Sequence, residues 1–422
     1  MRIEKLKIFL YLCSMLINEK TWDFIRHHAD DDVRKLALQG VKDAEVDLQQ
    51  ALQQIAGRQT ARRKLPSWAA IDGIIYPPHL NMEQCSSEQT ARYKASLTPV
   101  PSPKGEGSSM FVDLTGGFGV DFYWMSQGFQ HRQYIEQNEA LCEIARHNFE
   151  KLGLACSVCC CDTATYITTM AHVNLIFMDP ARRNEHGGRT YGIEDCTPNV
   201  LELLPVLMTK ADRILLKLSP MLDWHKAVDD LKYVSEVHIV SIDNECKELL
   251  LLLDGQQKES LKVVCVNNDE RFEFTIPSIA VRETASLLER NGLSLGEKRP
   301  VAPRYLYEPN ASIMKAGCFE EVEARYPIKQ ISQNSHLFLS PDEIDDFPGR
   351  RFQVSSISSM NKQELRVALK EINSANIAVR NFPMSVDQLR KKLKVKDGGD
   401  TYIFATTLAS GEHKLLICRK IG

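Results

Sequence analysis

The sequence predicts an α/β protein: a doubly wound, mostly parallel sheet, preceded by a helical region and followed by smaller α+β units. Two observations carry that prediction. From Met110 onward, short apolar runs alternate with helical stretches, the pattern of strands joined by helical crossovers. The runs 237–242 and 248–253 then lie too close together for a crossover, so they pair as an antiparallel hairpin. Length agrees, because 422 residues exceed one ordinary core and imply roughly two to four domains.

The elements follow in order. Residues 21–63 read as helical, with apolar residues at helical spacing (Val33, Leu36, Val41; Leu48, Leu52, Ile55). Pro66, Pro77 and Pro78 then mark an extended segment, a helix is expected near 86–95, and 99–109 is a Pro/Gly/Ser linker. Strands are expected at 110–114, 133–135, 155–161, 175–178, 213–218 and 237–242, with helices such as 139–152 and 199–208 between them. After about residue 276 the pattern becomes mixed. A strand at 305–307, a helix at 311–325, strands near 328–338 and 351–355, a helix at 362–372, a strand at 376–380 and a final hairpin ending near Cys418 fit small α+β units. The implied limits are 1–79, 80–275, 276–349 and 350–422, with 1–14 read as an upstream extension ahead of Met15.

Composition excludes several classes. Hydrophobic residues make up 43% and charged residues 25%, as in soluble globular proteins, and no apolar run reaches the ~20 residues of a membrane span. The apolar run at 8–17 follows Arg2, Lys5 and Lys7, but Glu4 interrupts the basic segment and no small-residue cleavage site follows. A cytoplasmic protein is expected. Most of the twelve cysteines stand singly in apolar stretches, as reduced core thiols do. Cys156, Cys159, Cys160 and Cys161 lack a second pair or spaced histidines, so no metal site is expected there, and 155–161 reads as a buried strand. The net charge of −3 is uneven: from Arg351 onward thirteen Lys/Arg face six Asp/Glu, leaving about −10 for the rest. A basic end suggests an anionic partner.

The chemistry concentrates at strand ends. The run Phe111-Val112-Asp113-Leu114-Thr115-Gly116-Gly117-Phe118-Gly119-Val120-Asp121 joins a strand to a helix. Glycines there let backbone amides approach a ligand, so Thr115, Gly116, Gly117 and Gly119 are expected contacts. A dinucleotide fingerprint would need a third glycine where Phe122 stands. An acid ahead of the glycines, Asp113, suits a cationic ligand without phosphate, and the methionine end of S-adenosylmethionine is one. Glu136, ending the next strand, can take both ribose hydroxyls. Asp162, with Thr163, ends the third strand and can accept from an adenine amine. Leu175-Ile176-Phe177-Met178-Asp179-Pro180 delivers Asp179 to the same edge, with Pro180 fixing the turn. Asp179 and Pro180 are the expected catalytic pair, because methyl transfer needs a positioned acceptor more than covalent help. Arg182, Arg183 and Lys217 put positive charge at the expected mouth, for substrate phosphates or for pairing with Glu185, Glu194 and Asp195.

Residues 113–119, Glu136, Asp162 and Asp179-Pro180 resemble motifs I to IV of the class I S-adenosylmethionine-dependent methyltransferases, whose seven-stranded Rossmann-like sheet also ends in a hairpin. More narrowly, Asp179-Pro180-Ala181-Arg182-Arg183, Gly188-Arg189-Thr190, Lys217-Leu218-Ser219-Pro220, Gln84-Cys85-Ser86-Ser87-Glu88 with Tyr93-Lys94, and Ala378-Val379-Arg380-Asn381-Phe382-Pro383 resemble the bacterial methyltransferases with a C-terminal THUMP-like domain. That resemblance implies a helical N-terminal region, a methyltransferase core, a ferredoxin-like domain and a THUMP-like domain. THUMP domains bind RNA, which agrees with the basic residues Arg390, Lys391, Lys392, Lys394 and Lys396.

The methyl acceptor is less defined. Enzymes acting on exocyclic base amines carry an aromatic ring that stacks on the flipped base, and here Ala181 and Arg182 follow Asp179-Pro180. Uracil-C5 chemistry needs a cysteine nucleophile after the next strand, where Leu218-Ser219-Pro220 stands, and serine is too weak to replace it. RNA is the expected substrate. A protein or small-molecule acceptor, or a non-catalytic RNA-binding protein retaining the fold, are the alternatives.

Overall fold

The computed structural model describes residues 17–97, 109–182, 192–255, 259–277, 304–332 and 334–421, and of Arg182 only the backbone. The expectations for 1–14, the 99–109 linker, Arg183, Glu185 and Gly188-Arg189-Thr190 lie outside the described residues, wholly or nearly so. The chain divides into two compact units, residues 1–217 and 218–422.

The first unit opens with helices α1 (Glu19–His27), α2 (Val33–Gln39), α3 (Leu48–Lys64), α4 (Pro66–Ala69), α5 (His79–Gln84) and α6 (Glu88–Ser96). The stretch expected as broadly helical is therefore three helices. Asn18, Asp32 and Asp47 each cap a new start by accepting backbone N–H groups, and Gly40 turns the chain at φ 68°. Ile25, Leu36, Ala51 and Ile55 form their shared core.

Strands β1 (Met110–Asp113), β2 (His131–Glu136), β3 (Ser157–Cys160), β4 (Val173–Met178) and β7 (Ala211–Leu218) are all parallel, in the order β3-β2-β1-β4-β7. Between them run α7 (Val120–Met125), α8 (Glu139–Lys151), α9 (Thr163–Thr169) and α10 (Val200–Lys210), and the short strands β5 (Ala181–Arg182) and β6 (Cys196–Thr197) pair beyond β4. Sequence order reverses at β1, which leaves a crevice at the carboxyl ends of β1 and β4. One expectation is corrected here: β3 is not buried. It pairs with β2 alone at the sheet's edge, and Ser157 and Cys160 are exposed. The helical N-terminal region packs on this core. Asn148 of α8 holds both backbone groups of Ile75, and Trp68 lies edge-on to Phe118 of the glycine loop.

The second unit begins with α11 (Trp224–Leu231) and the expected hairpin of β8 (Val234–Ile242) and β9 (Glu245–Leu253). Two unassigned strands extend it: β10 (Ser260–Asn267), parallel to β8, and β11 (Glu270–Pro277), antiparallel to β10. A second sheet is formed by β12 (Tyr305–Pro309), β13 (Lys329–Gln330), β14 (Phe338–Ser340), β15 (Gly349–Ser359), β16 (Asn376–Arg380), β17 (Thr401–Thr407) and β18 (His413–Ile421), ordered β13-β14-β12-β15-β18-β17-β16. Its helices are α12 (Ala311–Ala316), α13 (Phe319–Arg325), α14 (Lys362–Ala368) and α15 (Val386–Leu393). The single helix expected over 311–325 breaks at Gly317, where φ is 70°. Glu308 on β12 binds Arg350 on β15 and Arg380 on β16. No helix among the described residues is long and apolar enough to cross a membrane.

Candidate active site

The glycine loop is a cradle shaped by backbone geometry. A Cβ on Gly116 would fall 2.2 Å from the Tyr134 ring, and one on Gly119 would meet Phe149 at 2.6 Å. Gly117 and Gly119 adopt φ values of 57° and 85°, which favour glycine. Gly117 differs from its neighbours: the nearest atom to an added Cβ is 3.8 Å away, so its open side is where a ligand would approach. Where a dinucleotide site would want a third glycine, Phe122 is fully buried against Phe111, Tyr134 and Phe149.

Three acids frame the loop. Asp113, 1% exposed, accepts the Thr115 N–H at 2.9 Å. Burial pushes its carboxyl well above the usual range, and the charges of Asp121, Asp179 and Glu136 add to the push. An acid this short of compensation suits a cationic ligand group. Glu136 accepts from Gly117 N–H at 2.9 Å and Asn138 N–H at 2.8 Å, one on each oxygen. Each carboxylate oxygen has a further lone pair for a hydroxyl. Asp162 caps α9 through Thr165 N–H at 3.0 Å. Thr163 donates its hydroxyl to the Leu114 carbonyl at 2.7 Å, tying α9 to the end of β1.

Asp179 lies at the carboxyl end of β4, where its N–H donates to Thr115 Oγ1 at 2.6 Å and Pro180 is buried behind it. The Asp179 side chain keeps 37% of its surface open, and its Oδ2 lies 2.5 Å from Lys217 Nζ. Burial pushes this carboxyl up, against the downward pull of Lys217. Lys217 stands beside it because β4 and β7 run in register, Met178 opposite Leu216. Lys217, expected at the mouth for substrate phosphates or for pairing with Glu185, Glu194 and Asp195, is 9% exposed and lies between Asp179 and Asp121, whose Oδ2 is 3.6 Å away. The Arg182 side chain and Arg183 lie outside the described residues.

Sequence reasoning assigned no chemical role to the residues behind Lys217. Asp121 Oδ1 lies 3.1 Å from Nζ of Lys94, a fully buried lysine on α6, and Ser86 donates to Asp121 Oδ2 at 2.7 Å. Burial alone would raise Asp121, but Lys94 and Lys217 outweigh it and hold the carboxyl below the usual range. The available signal was weak: Glu88, Ala91 and Lys94 share one buried face of a short helix. Among the described residues no cluster of His, Cys, Asp and Glu is arranged to hold a metal, and all their cysteines are free.

Residues 305–348 match a family described as a ferredoxin-like domain, and 349–420 match one described as THUMP domain-like. No curated protein matches the sequence. A crystal structure of a candidate methyltransferase from Porphyromonas gingivalis W83 is similar over 97% of this chain and 100% of its own, at 30% identity and a TM-score of 0.80. Two further similar structures are M. capricolum TrmK bound to S-adenosylhomocysteine and a candidate RNA methyltransferase from Pyrococcus horikoshii. The first is 11% identical, with a TM-score of 0.31, over 40% of this chain and 68% of that one. The second is 12% identical, with a TM-score of 0.33, over 46% and 97%. Near full-length similarity to the Porphyromonas gingivalis protein, together with the two C-terminal matches, places the chain in the class I S-adenosylmethionine-dependent methyltransferase family that carries ferredoxin-like and THUMP-like domains.

Proposed function

We propose that the chain methylates RNA at the carboxyl ends of β1 and β4, using S-adenosylmethionine. The observation that carries this reading is the pairing of two unlike acids on adjoining strands. Among the described residues Asp113 is buried with no ion-pair partner, while Asp179 is partly open and steadied by a lysine. In this reading Asp113 takes the cofactor's ammonium, with Thr115, Gly116, Gly117 and Gly119 lining its path. Glu136 takes the ribose, and Asp162 with Thr163 borders the adenine. The bound cofactor supplies a sulfonium methyl open to in-line displacement.

Asp179 and Pro180 then orient the acceptor. The carboxylate would accept a hydrogen bond from the acceptor's N–H or O–H, orient that atom's lone pair, and take up the proton the atom loses on methylation. Arg182 and Arg183 follow directly and would meet the RNA backbone. Support for RNA comes from the second unit. In the segment matched as THUMP domain-like, Lys391, Lys392, Lys394 and Lys396 are exposed while Leu389, Leu393 and Val395 are buried, so four cations within six residues are open to a polyanion.

The test is transfer of tritiated methyl from S-adenosylmethionine to RNA extracted from cells lacking the gene. Label should enter RNA with wild type and vanish with Asp179→Ala that still unfolds cooperatively. Equal label with and without RNA would exclude RNA as the acceptor.

A further inference from the structure

Behind Asp179 the ionic groups alternate in sign through the interior: Lys94, Asp121, Lys217, Asp179. The spacings are 3.1 Å, 3.6 Å and 2.5 Å. Lys94 is fully buried on α6, and it also donates to Ser86 Oγ at 3.1 Å, whose hydroxyl donates to Asp121. A buried ammonium is costly unless it serves a nearby anion, and here that anion is not the catalytic one.

Resting on the methyl-transfer reading above, we propose that Lys94 is a positioning residue for that reaction. By neutralising Asp121 it leaves Lys217 to serve Asp179, and so keeps Asp179 a carboxylate able to accept the acceptor's hydrogen bond. The helical N-terminal region is thereby part of the catalytic apparatus. Charge counting makes the case. With Lys94 present, two lysines face two aspartates. Without it, Asp121 and Asp179 compete for Lys217 alone, and one of them takes a proton.

Asp179 is the one that does so. Asp121 keeps the Ser86 hydroxyl as a donor, and as the more deeply buried carboxylate (10% against 37% exposed) it draws Lys217, already 3.6 Å away, off Asp179. Among the described residues the charged groups acting on Asp179 offer it no third cation. Lys217 on β7 is its direct partner, Asp121 on α7 and Asp113 on β1 are like charges, and Lys94 on α6 is the second cation. Near Lys217 stand Lys64 at the end of α3 and the Cys85 thiol after α5. Lys64 is committed to the Met82 and Glu83 carbonyls at 2.8 and 2.6 Å, and burial pushes Cys85 up, so it stays a neutral thiol.

The experiment compares wild type, Lys94→Met, Lys94→Gln and Lys94→Met/Asp121→Asn, each first shown to keep its thermal shift with S-adenosylhomocysteine. Methyl incorporation into RNA from cells lacking the gene is measured against pH. Either single variant should move the acid limb to higher pH by about one unit, the lower end of what a nearby charge does. Removing Asp121 as well should return the limb to the wild-type position, a rescue that a purely structural role would not give. A limb that stays put in the single variants, or stays shifted in the double variant, overturns the proposal.

If wild type labels no RNA, the RNA reading fails but the charge relay is still decided by infrared spectroscopy. In a pH titration, the protonated-carboxyl C=O band that Asp179→Asn removes should appear about one unit higher in pH in Lys94→Met than in wild type. An unshifted band overturns the proposal.

Discussion

Asp113→Asn separates what the buried acid does for the free protein from what it does for the cofactor. In the free protein Asp113 is 1% exposed and receives one short hydrogen bond, from Thr115 N–H at 2.9 Å, which asparagine retains through its carbonyl oxygen. A carboxyl raised by burial favours its protonated form in the fold. Its ionised form therefore costs stability fully above the folded pKa, and that cost fades as pH falls toward the unfolded value. Asp113→Asn should be at least as stable as wild type at pH 8, with the difference shrinking toward pH 4. Cofactor binding should move the other way. A hydrogen bond between charged groups contributes about 1.5–3 kcal/mol, so a loss of about 2 kcal/mol weakens S-adenosylmethionine binding about 30-fold. At a ligand concentration that stabilises wild type by about 2.7 kcal/mol, the variant should gain only about 0.9 kcal/mol. Urea unfolding with and without ligand measures both quantities. Undiminished ligand stabilisation in the variant, or a free variant less stable by more than about 2 kcal/mol, would refute the assignment of Asp113 to the cofactor's ammonium.

Four further outcomes follow from the structure. Gly119→Ala should lose about 2–5 kcal/mol, from a left-handed φ of 85° and a clash with Phe149. Gly117→Ala meets no atom within 3.8 Å, should lose only about 1–2 kcal/mol, and should still bind cofactor less well; chemical denaturation and calorimetric titration read the two effects. Changing Lys391, Lys392, Lys394 and Lys396 together to Gln should weaken single-stranded RNA binding and flatten its salt dependence by about 3 in log–log slope; an unchanged slope would take those lysines out of the RNA interface. Glu308→Ala strips Arg350 and Arg380 of their shared carboxylate and should cost about 1–3 kcal/mol, discounted because both arginines are partly exposed, as seen in thermal melts.

What was legible in the sequence was local. The glycine loop, the strand-end acids and the β8–β9 hairpin depend on short spacings, and each stands where its neighbours in sequence put it. Strand β11 was legible too, since Phe272, Phe274 and Ile276 alternate with polar residues at the two-residue period of a half-buried strand. β3 was misjudged because apolar cysteines look alike on a central strand and on an edge. The ionic chain behind Asp179 was not legible. Lys94, Asp121, Lys217 and Asp179 lie 27 or more residues apart along the chain at each link, and nothing local distinguishes a buried lysine on a short polar helix from a solvated one. Only packing α6 against α7 reveals that pairing.

The central claim is that the crevice beside Asp113 and Gly117 holds S-adenosylmethionine. Calorimetric titration of the full chain at neutral pH tests it most directly, with NAD titrated in parallel. One site per chain for S-adenosylmethionine, and no heat from NAD, is the predicted result. No heat from S-adenosylmethionine at millimolar concentration, or equal binding of NAD, would contradict the account.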